Sequence, residues 1–346
     1  MGPESSMVDP ASERAQLTLF RALPGDAMAP RDAQDLMAFP FFSLAKSRRI
    51  APIRFEAGGV SLTVEGVPEH GIATIWDADV LIWAASQIVQ ARDQGLATSR
   101  LMATTPYEIL TFVQRGVGSK DYRMLKAALD RLQSTTVATS IRQPAGRRLH
   151  RFSWISEWKE LPGRETRDGR GHHAKGIELI LADWFYAAVM DDALILTLDP
   201  AYFHLTGGIE RWLYRLVRKH GGRQLKGWRF ALRHLHLKSG SVQRYADFAV
   251  QLRRLVRRQS LPGYWLAIEH VQGTDWLSFR AAPWTGSAGR LSTSGCESPV
   301  DDPWTDSGIT RSTIGESHVP LSGNHTCQVV AKPRPATVSA SLNLFN

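Results

Sequence analysis

Apolar positions recur every three to four residues from Ile75 to Arg92, where Trp76, Val80, Trp83, Ala84 and Ile88 share one face and Gly95 supplies a stop. This spacing predicts a helix. Thr105-Pro106 opens a second one, Tyr107 to Arg115, with proline in its first turn. Beyond the turn Gly116–Ser119, Ser119 is placed to cap a third helix running to about Gln133, with Met124, Leu125, Ala128 and Leu132 inward. Period-two alternation predicts strands at Ile50–Phe55 and Val60–Glu65 around Gly58-Gly59. It also predicts Thr135–Gln143 and Arg147–Glu157, joined by Pro144-Ala145-Gly146.

The order then repeats. Gly176–Leu181 and Ala193–Leu198 alternate as strands, and Gly208–His220 is helical with Trp212, Leu213, Leu216 and Val217 inward. Phe230–Leu237 reads as a short helix, Ser239-Gly240-Ser241 as a turn, and Ser241 to about Arg258 as a helix stopped by Leu261-Pro262-Gly263. Val242, Tyr245, Phe248, Ala249, Leu252, Leu255 and Val256 fall on the inner face of that helix. Tyr264–Glu269 and Asp275–Arg280 form a hairpin around Gln272-Gly273. Helix, helix, turn, helix, hairpin, twice over, predicts an α+β fold of two tandem winged helix-turn-helix domains. The expected organisation is a flexible N-terminal arm over 1–34, a first winged helix over 35–165, a second over 166–283, and a disordered tail over 284–346. Both ends are rich in Ser, Pro, Gly and Ala without a sustained period.

Composition narrows the class. Of 346 residues, 43% are hydrophobic and 22% charged, ordinary for a chain that buries a core. No apolar run reaches 18 residues, so no spanning helix and no membrane partner is expected. The polar, acidic start is unlike a secretory signal. The two cysteines, Cys296 and Cys327, lack disulfide-framework or zinc spacing. A cytoplasmic protein without metal or cofactor is expected. The net charge of +9 is not spread evenly. Residues 207–260 hold 14 Lys and Arg against Glu210 and Asp247, a local excess of +12, while the segments on either side are near neutral. A localised basic surface is the footprint of a phosphate-backbone binder, so double-stranded DNA is the expected partner.

The third helix of each unit is the one expected in the major groove. In the second unit Gln243, Arg244, Gln251, Arg254 and Arg258 face outward, residue types that form paired hydrogen bonds with guanine or adenine edges. Arg253 and Arg257 are expected at the phosphates, and Lys238 is a further candidate for DNA contact. In the first unit the outward set is Ser119, Arg123, Lys126 and Gln133, and Arg142, Arg147, Arg148 and Arg151 cluster near the hairpin tip as a basic wing. Enzyme motifs are sparse. Gly116-Val117-Gly118-Ser119-Lys120 lacks P-loop spacing, and no GxGxxG, GxSxG or HExxH occurs. His234-Leu235-His236 matches the metal-binding pair of rolling-circle nucleases, with Tyr245 and Tyr214 as available nucleophiles, but its flanks suit a helix end better than a strand. The expectation is a non-enzymatic binder. A winged-helix transcriptional repressor and, behind it, a nuclease using His234 and His236 remain as alternatives.

Several segments together resemble the replication initiator protein A family of alphaproteobacterial plasmids: His70–Trp83, Thr105–Leu110, Leu125–Thr136, Arg211–Gly221 and Leu261–Tyr264, within a match over about 12–283. The resemblance implies tandem winged helices, sequence-specific binding of repeated origin sites, and help in opening the origin, with no catalytic residues. It implies host replication proteins, including helicase-loading proteins, as partners, and a homodimer as one form. Gln16-Leu17-Thr18-Leu19-Phe20 looks like the pentapeptide that docks on the bacterial sliding clamp. Leu17, Leu19 and Phe20 would fill an apolar pocket while the Gln16 amide fixes orientation.

Overall fold

The computed structural model describes residues 14–25, 28–144, 149–161, 176–222 and 227–282. The tail read at 284–346 lies outside the described residues, as do 1–13 of the arm.

The chain enters through β1 (Phe20–Arg21) and β2 (Arg31–Ala33), then α1 (Gln34–Ala38) and the hairpin β3 (Ile53–Ala57) and β4 (Val60–Glu65). Helix α2 (Ala78–Asp93) leads to β5 (Leu101–Thr104), α3 (Pro106–Phe112) and α4 (Ser119–Ser134). Four strands follow: β6 (Thr136–Thr139), β7 (His150–Ser153), β8 (Ile155–Leu161) and β9 (Gly176–Leu181). The remainder is α5 (Asp183–Met190), β10 (Ile195–Thr197), α6 (Gly208–Gly221), β11 (Trp228–Ala231), α7 (Leu232–Ser239), α8 (Tyr245–Arg258), β12 (Tyr264–Val271) and β13 (Thr274–Ala281). Sheet orders are β3-β4-β6-β7, β1-β5-β9-β8, β10-β2 and β11-β13-β12.

Local chemistry sets these boundaries. Thr105 caps α3 reciprocally: Thr105 Oγ1 accepts from the Glu108 amide at 3.2 Å, and Glu108 Oε2 accepts from the Thr105 amide at 2.8 Å. At α4 the cap is Gly118 rather than the expected Ser119. The Asp121 carboxylate accepts the Gly118 N–H at 3.2 Å, which leaves Ser119 as the first helical residue. The aromatic core is dense between the sheets: Phe42 stacks on Trp154 at 5.1 Å, and Phe152 on Trp184 at 4.8 Å.

Several expectations shift. The single strand read over Arg147–Glu157 is two strands in different sheets, with buried Trp154 at the change of direction. Phe230 and Ala231, read as the start of the Phe230–Leu237 helix, belong instead to strand β11, where Phe230 lies opposite Leu277 of β13. The final helix begins at Tyr245 instead of Ser241, so Val242, expected inward, is 68% exposed in the turn. Met124, also expected inward, is exposed on α4. Helix α5 and strand β5 had no counterpart in the pattern.

The division at 165/166 runs between two paired strands, since Trp158 is opposite Leu179 in the β8–β9 ladder and β9 also pairs with β5. The N-terminal stretch is drawn in as well. Phe20 lies opposite Met102 in a parallel pair, and β2 pairs with β10 through Ala33 and Ile195. Gly208 shows how closely the parts pack: a Cβ there would lie 1.9 Å from the Leu44 carbonyl oxygen. Gly240 closes α7 at φ +60°, and the Arg49 guanidinium donates to its carbonyl at 2.6 Å. The described residues therefore belong to one compact unit.

Candidate nucleic-acid interface

Helix α8 is held by one face. Phe248, Ala249 and Leu252 are buried, and Phe248 meets Trp212 at 6.1 Å and His236 at 5.1 Å. Opposite them, Ala246, Asp247, Val250, Arg254 and Arg257 are exposed, with Arg258 beside them and Arg244 at the helix start. Val250 is 43% exposed, an apolar side chain one turn before Arg254. Two guanidiniums absent from the sequence reading join this basic surface. Arg233 of α7 lies 4.6 Å from the Tyr245 ring centre, and Arg229 of β11 lies 4.9 Å from that of Trp276.

Other expected contacts are redirected. Gln243 precedes the helix, where its amide donates to Ser241 Oγ at 3.2 Å and its carbonyl pairs with His236 Nε2 at 2.8 Å. Its side chain is only partly exposed. Gln251 is half-buried on the flank. Arg253 is bound to Asp275, which also pairs with His270 Nδ1 at 2.7 Å, so it ties α8 to the β12–β13 hairpin. Lys238 corrects the reading outright. It is 0% exposed, with its ammonium near the rings of Phe39 and Phe230, and cannot reach a phosphate.

The +12 belt thus faces two ways. Arg229, Arg233, Arg244, Arg254, Arg257 and Arg258 point to solvent, whereas Arg211, Arg215 and Lys238 are buried. Arg211 Nη1 donates to Asp79 Oδ1 at 2.7 Å, and Arg115 reaches the other Asp79 oxygen at 2.7 Å. Arg215 grips Asp32 through two bonds of 2.6 and 3.0 Å. Burial pushes the Asp32 and Asp79 carboxyls above their ordinary range, opposed by the guanidiniums beside them. Burial also works against the Arg215 charge, yet Asp32 holds that group above its usual value.

On α4, Leu125, Ala128, Leu129 and Leu132 are buried, and Ser119, Arg123 and Gln133 are exposed. Lys126 is paired with Glu160, and Gln133 Nε2 donates to the Ser156 carbonyl at 3.4 Å. Arg142 is turned to the body: it forms an ion pair with Asp35 at 3.0 Å and covers the Trp184 ring at 3.5 Å. That removes it from a basic wing. Arg151 is exposed on β7, while Arg147 and Arg148 lie outside the described residues.

The nuclease pair does not converge. His234 and His236 sit on helix α7, where residues two apart diverge by about 200°. His234 stacks on Phe230 and His236 packs on Phe248. Among the described residues no group of three or more His, Cys, Asp or Glu could hold a metal ion. Nor is any helix among them long and apolar enough to cross a membrane.

The class defined by this architecture is a mixed α+β fold of the kind seen in domains 2 and 3 of RctB. A crystal structure of those domains superposes with a TM-score of 0.53 at 16% identity, covering 72% of this chain and 98% of that one. The chain belongs to the Replication initiator protein A family, whose sequence profile matches residues 31–266. A curated relative from Wigglesworthia glossinidia brevipalpis, named "Putative replication protein", is 31% identical over 230 residues, 66% of this chain and 81% of its own length.

Proposed function

We propose that this replication initiator serves a plasmid, binds repeated double-stranded origin sites, and does so without catalysis, through two winged-helix units. The observation that carries the reading is the solvent face of α8, where exposed Val250, Arg254 and Arg257 follow one another at successive turns of a helix anchored by Phe248. The Arg254 fork matches guanine, the exposed aliphatic Val250 one turn before it matches a thymine methyl, and Arg257 is placed for a phosphate. The order α6, β11, α7, α8, β12, β13, with β11 beside β13, is compatible with a winged helix and supports the reading of α8 as the recognition helix. The first unit has the same helix order, α2, α3, α4, but β5 joins a separate sheet and fewer cations are free. It contributes phosphate contacts through Arg123 and Arg151.

Several copies on repeated sites strain nearby duplex, which opens most easily at flexible pyrimidine–purine steps. The sliding clamp and helicase-loading proteins are the proposed host partners, and a homodimer is a proposed second form. Footprinting on the replicon's own intergenic DNA tests the reading. Protected repeats that need more protein with Arg254→Ala are expected; uniform binding to unrelated DNA would overturn it.

A further inference from the structure

The clamp-like pentapeptide is not a free arm in this fold. Phe20 is 6% exposed and belongs to the central core, while Gln16, Thr18 and Leu19 face solvent and Leu19 is 38% exposed. The segment is held at two points. On one side Arg14 bonds Glu157 of β8 at 2.6 Å and also pairs with Glu178 of β9. On the other, β1 adds a two-residue parallel strand to the edge of β5, and the Ala22 amide donates to the Ala103 carbonyl at 2.9 Å. In the sheet order β1-β5-β9-β8, the chain from Arg14 to Phe20 must cross from the β8 side to the β5 edge. Leu23 is anchored further on, its amide donating to Gln87 Oε1 at 2.7 Å.

We propose that residues 14–22 form a latch that withholds the pentapeptide from its partner, an apolar peptide-binding pocket of the sliding clamp. This rests on the clamp reading above. Two residues of strand pairing are a small commitment, and the Arg14 pairs are partly exposed, so they hold weakly. Phe20 is the main tie. It cannot occupy the protein's core and a partner's pocket together. Release exposes the Phe20 ring and the β5 edge, so the clamp must offset that burial before it gains affinity. The design makes the full chain a poorer ligand than the same peptide alone. Leu23 and Gln87 stay in place and act as the hinge of the released segment.

The test compares three ligands for purified sliding clamp: the full chain, a synthetic peptide of residues 14–24, and the full chain with Arg14→Ala. The expected result is a peptide that binds roughly 10- to 100-fold more tightly than the full chain, with Arg14→Ala recovering part of the difference. Hydrogen exchange at the Ala22 amide should also rise when clamp is added to the full chain. Equal affinity of peptide and full chain, with unchanged exchange at Ala22, would overturn the latch and leave the clamp reading standing. A peptide that does not bind at all would overturn the clamp reading, and the latch with it.

Discussion

Arg211 Nη1 and Asp79 Oδ1 stand 2.7 Å apart across 132 positions of chain, both side chains buried. The same Asp79 takes Arg115, and Arg215 repeats the device with Asp32 across 183 positions. These pairs join α6 to the N-terminal half, and so set α8 and α4 on one frame.

Removing one partner of such a pair strands the other in the core. Asp79→Ala should cost about 3–5 kcal/mol in urea denaturation. Replacing both Arg215 and Asp32 with apolar residues should cost less than either single replacement, because no unpaired charge is left behind. Additive losses in that cycle would show that the pair is not the coupling element.

On α8 the outward side chains separate recognition from folding. Arg254→Ala should weaken specific binding by about 1–3 kcal/mol without changing the melting temperature. Val250→Glu should abolish binding with equally little effect on stability, since Val250 already faces solvent.

Inner and outer cations should differ in salt dependence. Arg257→Ala is expected to lower the slope of log K against log salt by about 0.9, the loss of one phosphate contact. Lys238→Met should leave that slope unchanged, because the ammonium sits inside the fold. A reduced slope in Lys238→Met would contradict its placement.

Leu19 and Phe20 should part company. Phe20→Ala is expected to destabilise by roughly 3–5 kcal/mol, and Leu19→Ala by no more than about 0.5 kcal/mol. Thermal unfolding of the two variants checks this, and makes Leu19→Ala the cleaner probe of clamp binding.

Acid should loosen the α8–hairpin tie. The hydrogen bond from His270, then the bond and charge of Arg253, hold the Asp275 carboxyl below the usual carboxylate range. A depressed folded value means the contribution is complete above the unfolded value of about 3.9 and is lost as pH falls through the lower folded one. Stability profiles of the wild type and Asp275→Asn should therefore converge at low pH. A difference that persists unchanged into strong acid would disprove the link.

Helices α3, α4, α6 and α8 were legible because each carries a one-sided apolar stripe or a local start signal, such as the Thr105–Glu108 box, and α2 because its long apolar stretch runs unbroken to the Gly95 stop. Strand β11 and helix α5 were not. Four residues from Trp228 become strand only because β13 lies beside them, and α5 is apolar on too many sides to show a period. On α8, the exposure of Arg254, Arg257 and Arg258 was legible from helical phase alone. Arg142 and Lys238 were misplaced because charge predicts exposure only on average, and each has a compensating aromatic or acidic partner distant in sequence.

The sequence by itself determined the α+β class, the order of most helices and hairpins, the basic segment from 207 to 260, and the family resemblance. These depend on local period, turn chemistry and composition, which neighbouring residues express together. Only the tertiary structure decided which cations of that segment face solvent, that β9 completes a sheet begun by β1 and β5, and that Phe20 belongs to the core. Those outcomes depend on pairing between residues 82 to 183 positions apart, and no local pattern carries the free energy of a contact whose other half lies elsewhere in the chain.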